Sequence, residues 1–378
     1  MSQHFRTIPI LPGPEGVFAA LTAVHELFED EQSVALIDPR VPGAAEAIRA
    51  DTPLMGDEPS LILVTSGSTG APRGVEISVS ALGEAAALSA MFLSSQSVWL
   101  TALPVTSMGG LNTVVRSALA GTAPVIWDGV AGAETFTVES FEPFLVATLR
   151  SAKKQKLSAA VSLVPTQLHR LLVHSAATAA LAEFDHVLIG GAATPPELLQ
   201  QAEAAGVSVI RTYGATETCG GVVYNGIPLP EIDVRIDASG VVSIYGPTIA
   251  TSYRDGELIG ASGWKSSDVG SLDNGVLSIQ GRVDDLIKTA GSFINLNSIV
   301  EILLHALPAD AFGVSHAPSV EYGSVPVIAV TADHDVSFIE NHIRENLAAH
   351  RIPLRIVNVD TIPLLANGKV DRRALAQL

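Results

Sequence analysis

Between residues 60 and 211 the chain keeps switching between two periodicities, and this alternation restricts its fold more than any other feature. Short apolar, β-like runs fall at 60–65, 98–103, 123–127, 159–164, 186–189 and 207–211. The stretches 81–93, 111–120, 167–174 and 195–205 between them carry Ala, Leu and Glu at helical spacing. A chain that alternates in this way predicts a wound α/β sheet with helices packed on it.

From about Ile227 the texture changes to short strand-and-turn segments, with the turn pairs Ser239-Gly240, Asp255-Gly256 and Asn274-Gly275 between apolar runs. This predicts a β-rich subdomain that ends at Gly281-Arg282-Val283-Asp284-Asp285. Residues 286–378 then carry helix and strand patterns of their own. The 378 residues exceed what one core usually serves. The expectation is therefore a large N-terminal domain over 1–283 and a small α+β domain over 284–378.

Hydrophobic residues make up 47% of the chain and charged residues 16%, which suits packed α/β layers and argues against disorder. A net charge of −17 repels nucleic acid and anionic membrane alike, so neither is an expected partner. With only 22 Lys and Arg, the cations that stand beside glycine-rich motifs gain weight. The single cysteine, Cys219, allows no internal disulfide, and no Cys/His spacing resembles a zinc site. Residues 1–16 carry neither a basic n-region nor an apolar core of a signal peptide. The expectation is a soluble cytoplasmic protein, and a homodimer is left open.

The strongest local motif is Leu61-Ile-Leu-Val-Thr65-Ser66-Gly67-Ser68-Thr69-Gly70-Ala71-Pro72-Arg73-Gly74-Val75, an apolar strand running into a turn rich in hydroxyls and glycine. Such a turn can wrap polyphosphate: glycines let backbone N–H groups approach, hydroxyls donate, and Arg73 supplies charge. A plain Ser/Gly surface loop has the same composition. The Walker A spacing is not met between Gly67 and Gly74, which disfavours an ordinary P-loop ATPase. A second cluster, Arg211-Thr212-Tyr213-Gly214-Ala215-Thr216-Glu217-Thr218, follows another strand. Here Tyr213 can stack on a base, Thr216 can contact phosphate and Glu217 can hold Mg²⁺. Taken alone, it reads equally as a polar turn.

These two segments resemble the phosphate loop and the Y-G-x-T-E motif of the adenylate-forming superfamily of acyl-CoA synthetases, adenylation domains and luciferases. Three more matches follow in the family's order: Gly263-Trp-Lys-Ser-Ser-Asp268-Val-Gly270, Gly281-Arg282-Val-Asp284-Asp-Leu-Ile-Lys288 and Asn367-Gly-Lys369-Val-Asp-Arg372. The resemblance implies a fold with a large ATP- and acid-binding domain and a small mobile C-terminal domain. It also implies ATP, Mg²⁺ and CoA as reaction partners of a carboxylic acid. Residue by residue, it implies that Thr65, Ser66, Gly67, Ser68, Thr69, Gly70 and Arg73 hold phosphate. Gly190, Gly191 and Ala192 would line an adenine pocket with Tyr213 and Gly214, and Asp268 and Arg282 would bind ribose. Thr216 and Glu217 would act with Mg²⁺, Asp284 would be the hinge, and Lys369 would bridge the acid's carboxylate and ATP.

Within the superfamily, Ser162-Leu-Val-Pro-Thr166-Gln-Leu-His169-Arg-Leu-Leu172, Thr216 to Tyr224, and Gly110-Leu111 with Val115-Arg116-Ser117 resemble the o-succinylbenzoate-CoA ligases of menaquinone biosynthesis. The short stretch before the phosphate loop also fits compact members of that group. Their acid has a second carboxylate, for which Ser107, Arg116, Thr166 and His169 are candidates by position; packing or surface roles suit each as well. Two departures stand out: Arg73 where the family usually has Lys, and Ser107 where relatives often carry His or an aromatic residue. A ligase for another aryl or acyl acid, or a silent nucleotide- or acyl-CoA-binding regulator, remain the alternatives.

Overall fold

The computed structural model describes residues 4–65, 72–93, 96–308, 310–347, 352–364 and 370–378. The chain forms two compact units, one of Met1–Asp237, Val242–Ser266 and Leu272–Ser278, the other of Ala238–Val241, Ser267–Ser271 and Ile279–Leu378.

Over the stretch where the sequence pattern predicted one wound sheet the described residues form a five-stranded and a seven-stranded sheet, and the β-rich stretch after Ile227 forms a four-stranded one of Asp233–Ile236, Val241–Tyr245, Trp264–Asp273 and Val276–Arg282. The five-stranded sheet runs in spatial order Arg6–Pro9, Val34–Ile37, Ser60–Thr65, Arg73–Ser78, Ser252–Tyr253. Its first three strands are parallel, and the last two are antiparallel additions. The seven-stranded sheet runs Ile227–Pro228, Gly220–Tyr224, Val209–Ala215, His186–Ile189, Ser158–Leu163, Ser97–Thr101, Val125–Ile126. Its centre is parallel. Helix Val79–Leu93 carries the chain away from the first sheet, so Ser97–Thr101 finds its neighbours in Ser158–Leu163 and Val125–Ile126 rather than in Ser60–Thr65.

The parallel strands Val34–Ile37, Ser97–Thr101, Ser158–Leu163 and His186–Ile189 are buried on both faces, which is why they read as continuous apolar runs; in Ser158–Leu163 every residue after the first is buried. Besides the expected helices, Pro14–Glu29, Val138–Gln155 and Ser175–Ala182 cover the sheets. The second of these starts where the Thr137 side chain accepts from the Ser140 N–H at 3.2 Å. It ends where Lys156 turns left-handed at φ 59°. Its Phe141 and Leu145 are fully buried, contributing roughly 1.5–3 kcal/mol each.

In the second unit, hairpin strands Leu286–Thr289 and Ser292–Asn295 join a longer hairpin of Phe312–Ser319 and Gly323–Thr331, with Arg355–Val359 added in parallel. Helices Leu296–Leu304 and Val336–Asn346 pack Ile299, Leu303, Ile339 and Ile343 onto Ile328 and Val330. The short helix Arg372–Ala376 is capped by Asp371, whose carboxylate accepts from the N–H groups of Arg373 and Ala374 at 3.0 Å each. Next to this cap, Arg372 ion-pairs with the buried Asp285, and the Ser315 hydroxyl donates to the Arg372 carbonyl at 2.7 Å.

Candidate active site

The parallel pairing of His186–Ile189 with Val209–Ala215 stops at Ile189 and Arg211, so Gly190–Ala192 and Thr212–Gly214 run on side by side at the carboxyl edge of the large sheet. In open α/β sheets this edge is where ligands bind. Gly191 takes φ 81°, a conformation that favours glycine. Tyr213 is half-buried on the last strand. A Cβ on Gly214 would overlap the Gly220 carbonyl oxygen, so the two antiparallel strands can meet here only at glycine.

Between those strands Thr216–Thr218 forms a single 3₁₀ turn that presents Glu217. The turn is tied from several sides. The Thr218 hydroxyl accepts from the Ala215 N–H at 2.9 Å, and the Ala250 N–H donates to the Glu217 carbonyl at 2.8 Å. The Asn112 amide donates to the Cys219 carbonyl at 2.9 Å. Glu217 is itself buried, and its carboxylate accepts the Tyr253 hydroxyl at 2.9 Å. Burial pushes its pKa above the ordinary carboxylate range, partly countered by its own backbone N–H, by Tyr253 and by the positive Arg73. A single desolvated carboxylate suits Mg²⁺, which keeps phosphate and water ligands and takes one or two protein carboxylates. Among the described residues no cluster of three or more His, Cys, Asp or Glu could hold a metal. Thr216 is half-buried at the start of the turn.

Thr65 and Arg73 face each other at the open end of an antiparallel pair. Ser66, Gly67, Ser68, Thr69 and Gly70 lie outside the described residues. The Arg73 guanidinium donates to Asp255 at 2.9 Å and Glu257 at 2.8 Å and lies 3.5 Å over the Tyr253 ring. Tyr253, Asp255 and Glu257 were not singled out in the sequence, where Asp255-Gly256 reads only as a turn.

Of the four acid-site candidates, Ser107 precedes helix Met108–Leu119 and donates its hydroxyl to the Pro104 carbonyl at 2.8 Å. Thr166 and His169 share one face of helix Pro165–Leu172, both half-buried. Arg116 stands one helical turn beyond Asn112, the residue that holds the Glu217 turn from behind. It donates to the Ser89 hydroxyl at 3.0 Å and the Tyr224 hydroxyl at 3.2 Å, and its guanidinium lies 4.9 Å from the Trp99 ring centre. It also borders a cavity of about 240 Å³ walled by Ala86, Ala90, Leu93, Trp99 and Leu119. Among the described residues Arg116 pairs with no carboxylate. Cys219 is buried with its thiol pushed far up, which removes it as a nucleophile.

In the second unit Asp268 and Arg282 are brought together at 3.3 Å, and the same guanidinium reaches Asp284 at 2.9 Å. Asp284 is exposed in the 3₁₀ turn Val283–Asp285. Lys369 lies outside the described residues.

The model of the AMP-binding enzyme family matches residues 18–247, a stretch that contains the phosphate-loop segment, the Glu217 turn and Arg116. The chain belongs to the AMP-binding enzyme family. It is 35% identical over 317 residues to a Mycobacterium tuberculosis protein named "Probable 2-succinylbenzoate–CoA ligase", covering 80% of this chain and 79% of that one. A Salmonella typhimurium 2-succinylbenzoate–CoA ligase is 32% identical over 309 residues, covering 77% of this chain and 62% of the relative. In fold, the chain matches o-succinylbenzoate CoA synthetase from Bacillus subtilis in complex with its acyl-adenylate intermediate. That match has a TM-score of 0.75 at 22% identity and covers 99% of this chain and 88% of the other. As a member of the AMP-binding enzyme family, the chain carries the resemblance read from its five motifs into a shared fold.

Proposed function

We propose that this chain is a 2-succinylbenzoate–CoA ligase of menaquinone biosynthesis, a soluble enzyme that joins the acid to CoA at the expense of ATP. The observation that carries the choice of acid is the likeness, at 35% identity over four fifths of the chain, to a protein named for that acid; Arg116, a half-buried guanidinium with no carboxylate partner among the described residues, is the candidate for the second carboxylate. A cation so placed is a receptor for an anion on an otherwise apolar molecule. A benzoate bearing a succinyl arm has that form, and relatives of this name at 32–35% identity support the reading.

In the first half-reaction the aliphatic carboxylate attacks the α-phosphate of ATP; the new O–P bond forms as the bond to pyrophosphate breaks. Gly190–Ala192 and Tyr213 would hold adenine, Asp268 and Arg282 the ribose, and Thr65, residues 66–70 and Arg73 the phosphates. Glu217, with Thr216 beside it, would hold Mg²⁺, which when bound neutralises phosphate charge. Lys369 would balance the charge that develops between the two reacting anions. In the second half-reaction the CoA thiol attacks the acyl carbonyl, the C–S bond forms, the thiol proton is lost and AMP leaves. A C-terminal domain beginning at Asp284 would turn between the two steps.

The test is a panel of acids scored for pyrophosphate release and CoA-thioester formation. 2-Succinylbenzoate should be used best; a benzoate or fatty acid used far more efficiently would reassign the acid and keep the reaction class. Within that panel, Arg116→Leu should raise KM for 2-succinylbenzoate roughly 10- to 100-fold, the worth of one charge-assisted contact. It should change little for 4-oxo-4-phenylbutanoate, which lacks the ring carboxylate. Equal losses with both acids would make Arg116 a packing residue held by Ser89 and Tyr224.

A further inference from the structure

One eight-residue segment, Ala250 to Glu257, touches both ends of the proposed ATP site. Its Ala250 N–H fixes the Glu217 backbone, its Tyr253 hydroxyl fixes the Glu217 carboxylate, and its Asp255 and Glu257 carboxylates hold Arg73 against the Tyr253 ring. The segment is not free to drift. Tyr253 pairs with Val75 and Ser252 with Glu76 on the strand that begins at Arg73, and the next residue, Arg254, is buried in an ion pair with Glu76 at 2.7 Å.

We propose that Tyr253 is a positioning residue for adenylation, its hydroxyl aiming the Glu217 carboxylate at the metal and its ring seating the Arg73 guanidinium. This rests on the reading of Glu217 as the Mg²⁺ carboxylate. The chemistry asks for such a group. A buried carboxylate on a one-turn 3₁₀ element has rotamer freedom, and a donor on one oxygen fixes its plane while leaving the other oxygen's lone pairs available. The same ring presents its π face to a cation, so Arg73 keeps its place when its carboxylate partners give way to phosphate. Tyr253 contacts both groups.

Tyr253→Phe keeps the ring over Arg73 and removes only the hydroxyl, so the fold should persist. Measured by pyrophosphate exchange and, apart from turnover, by calorimetric titration of Mg²⁺ into the protein with a non-hydrolysable ATP analogue bound, its half-saturating Mg²⁺ concentration should rise about 10-fold, the usual scale for losing an outer partner of a metal ligand. Its KM for ATP at saturating Mg²⁺ should hold. Tyr253→Leu, which also removes the ring, should raise that KM in addition. Glu217→Gln is run alongside. If Glu217→Gln impairs adenylation and Tyr253→Phe leaves the Mg²⁺ dependence unchanged, Tyr253 has no positioning role and the Glu217 reading stands. If Glu217→Gln leaves adenylation intact at limiting Mg²⁺, that reading falls and this proposal falls with it.

Discussion

Lys369→Ala is expected to slow acyl-AMP formation about 10²- to 10³-fold, the cost of removing one group aimed at charge developing in a transition state. Two anions must meet when the acid's carboxylate approaches the α-phosphate, and a lysine between them offsets that repulsion. Thioester formation from supplied acyl-AMP should keep most of its rate, because the lysine has no part once pyrophosphate has gone. The flanking chain makes the test clean. Leu364 and Val370 bridge antiparallel, and Arg372 is anchored on Asp285; other residues make both contacts, so the substitution leaves them in place. Asp284→Pro should give the opposite pattern: by fixing φ in the turn that follows Arg282 it holds one orientation, sparing the first step and depressing the second. Both half-reactions must be timed separately for both variants. Uniform loss in a folded Lys369→Ala protein would contradict a division of labour between two orientations.

Arg254→Ala should cost about 3–5 kcal/mol of stability, the scale for stripping a buried ion of its partner. Arg254 is 2% exposed and Glu76 0%, and the two meet at 2.7 Å. The arginine also donates to the carbonyls of Ile48 at 3.0 Å and Pro53 at 3.1 Å. Glu76 in turn accepts from the N–H groups of Met55 and Gly56, at 2.9 and 2.8 Å. Because the carboxylate holds those amides and the guanidinium those carbonyls, replacing the pair together with Leu and Met should not restore stability: backbone donors and acceptors on both sides would lose their partners. The check is the denaturant midpoint of each variant. A loss below about 1 kcal/mol for Arg254→Ala would mean that the carboxylate finds other donors, contrary to the scale expected of a buried pair.

The parts legible in the sequence were those that depend on neighbours along the chain. The runs at 60–65 and 186–189 match their strands residue for residue, and the stretch at 81–93 lies within helix Val79–Leu93, since burial on both faces of a parallel strand and one face of a helix leaves periodic marks. The Glu217 turn was legible because its glycine, aromatic and carboxylate fall within a few residues. The division into two sheets was not legible, because strand partners are chosen across long stretches of chain. The bond from Arg254 to Glu76 spans 178 residues, and Ser252–Tyr253 is a two-residue strand with no periodicity to read. Tyr253 was missed for the same reason: nothing near it in sequence says that it will stand between Arg73 and Glu217. The Arg73 departure from lysine reads differently beside this segment. A planar guanidinium can lie flat on the ring while donating to two carboxylates, which a lysine ammonium cannot do in the same way.

That linkage bears on recombination between this chain and its relatives. The strand that starts at Arg73 and the segment from Ala250 to Glu257 are packed as one block although most of the large sheet is encoded between them. A chimera with a single crossover anywhere from residue 80 to 245 would take the arginine from one parent and its ring and carboxylates from the other. Where the second parent carries lysine at the first position, the junction would join halves that have adjusted to different cations. Shuffling that moves the two segments together should therefore return active progeny more often than shuffling that parts them, whichever parent supplies the stretch in between.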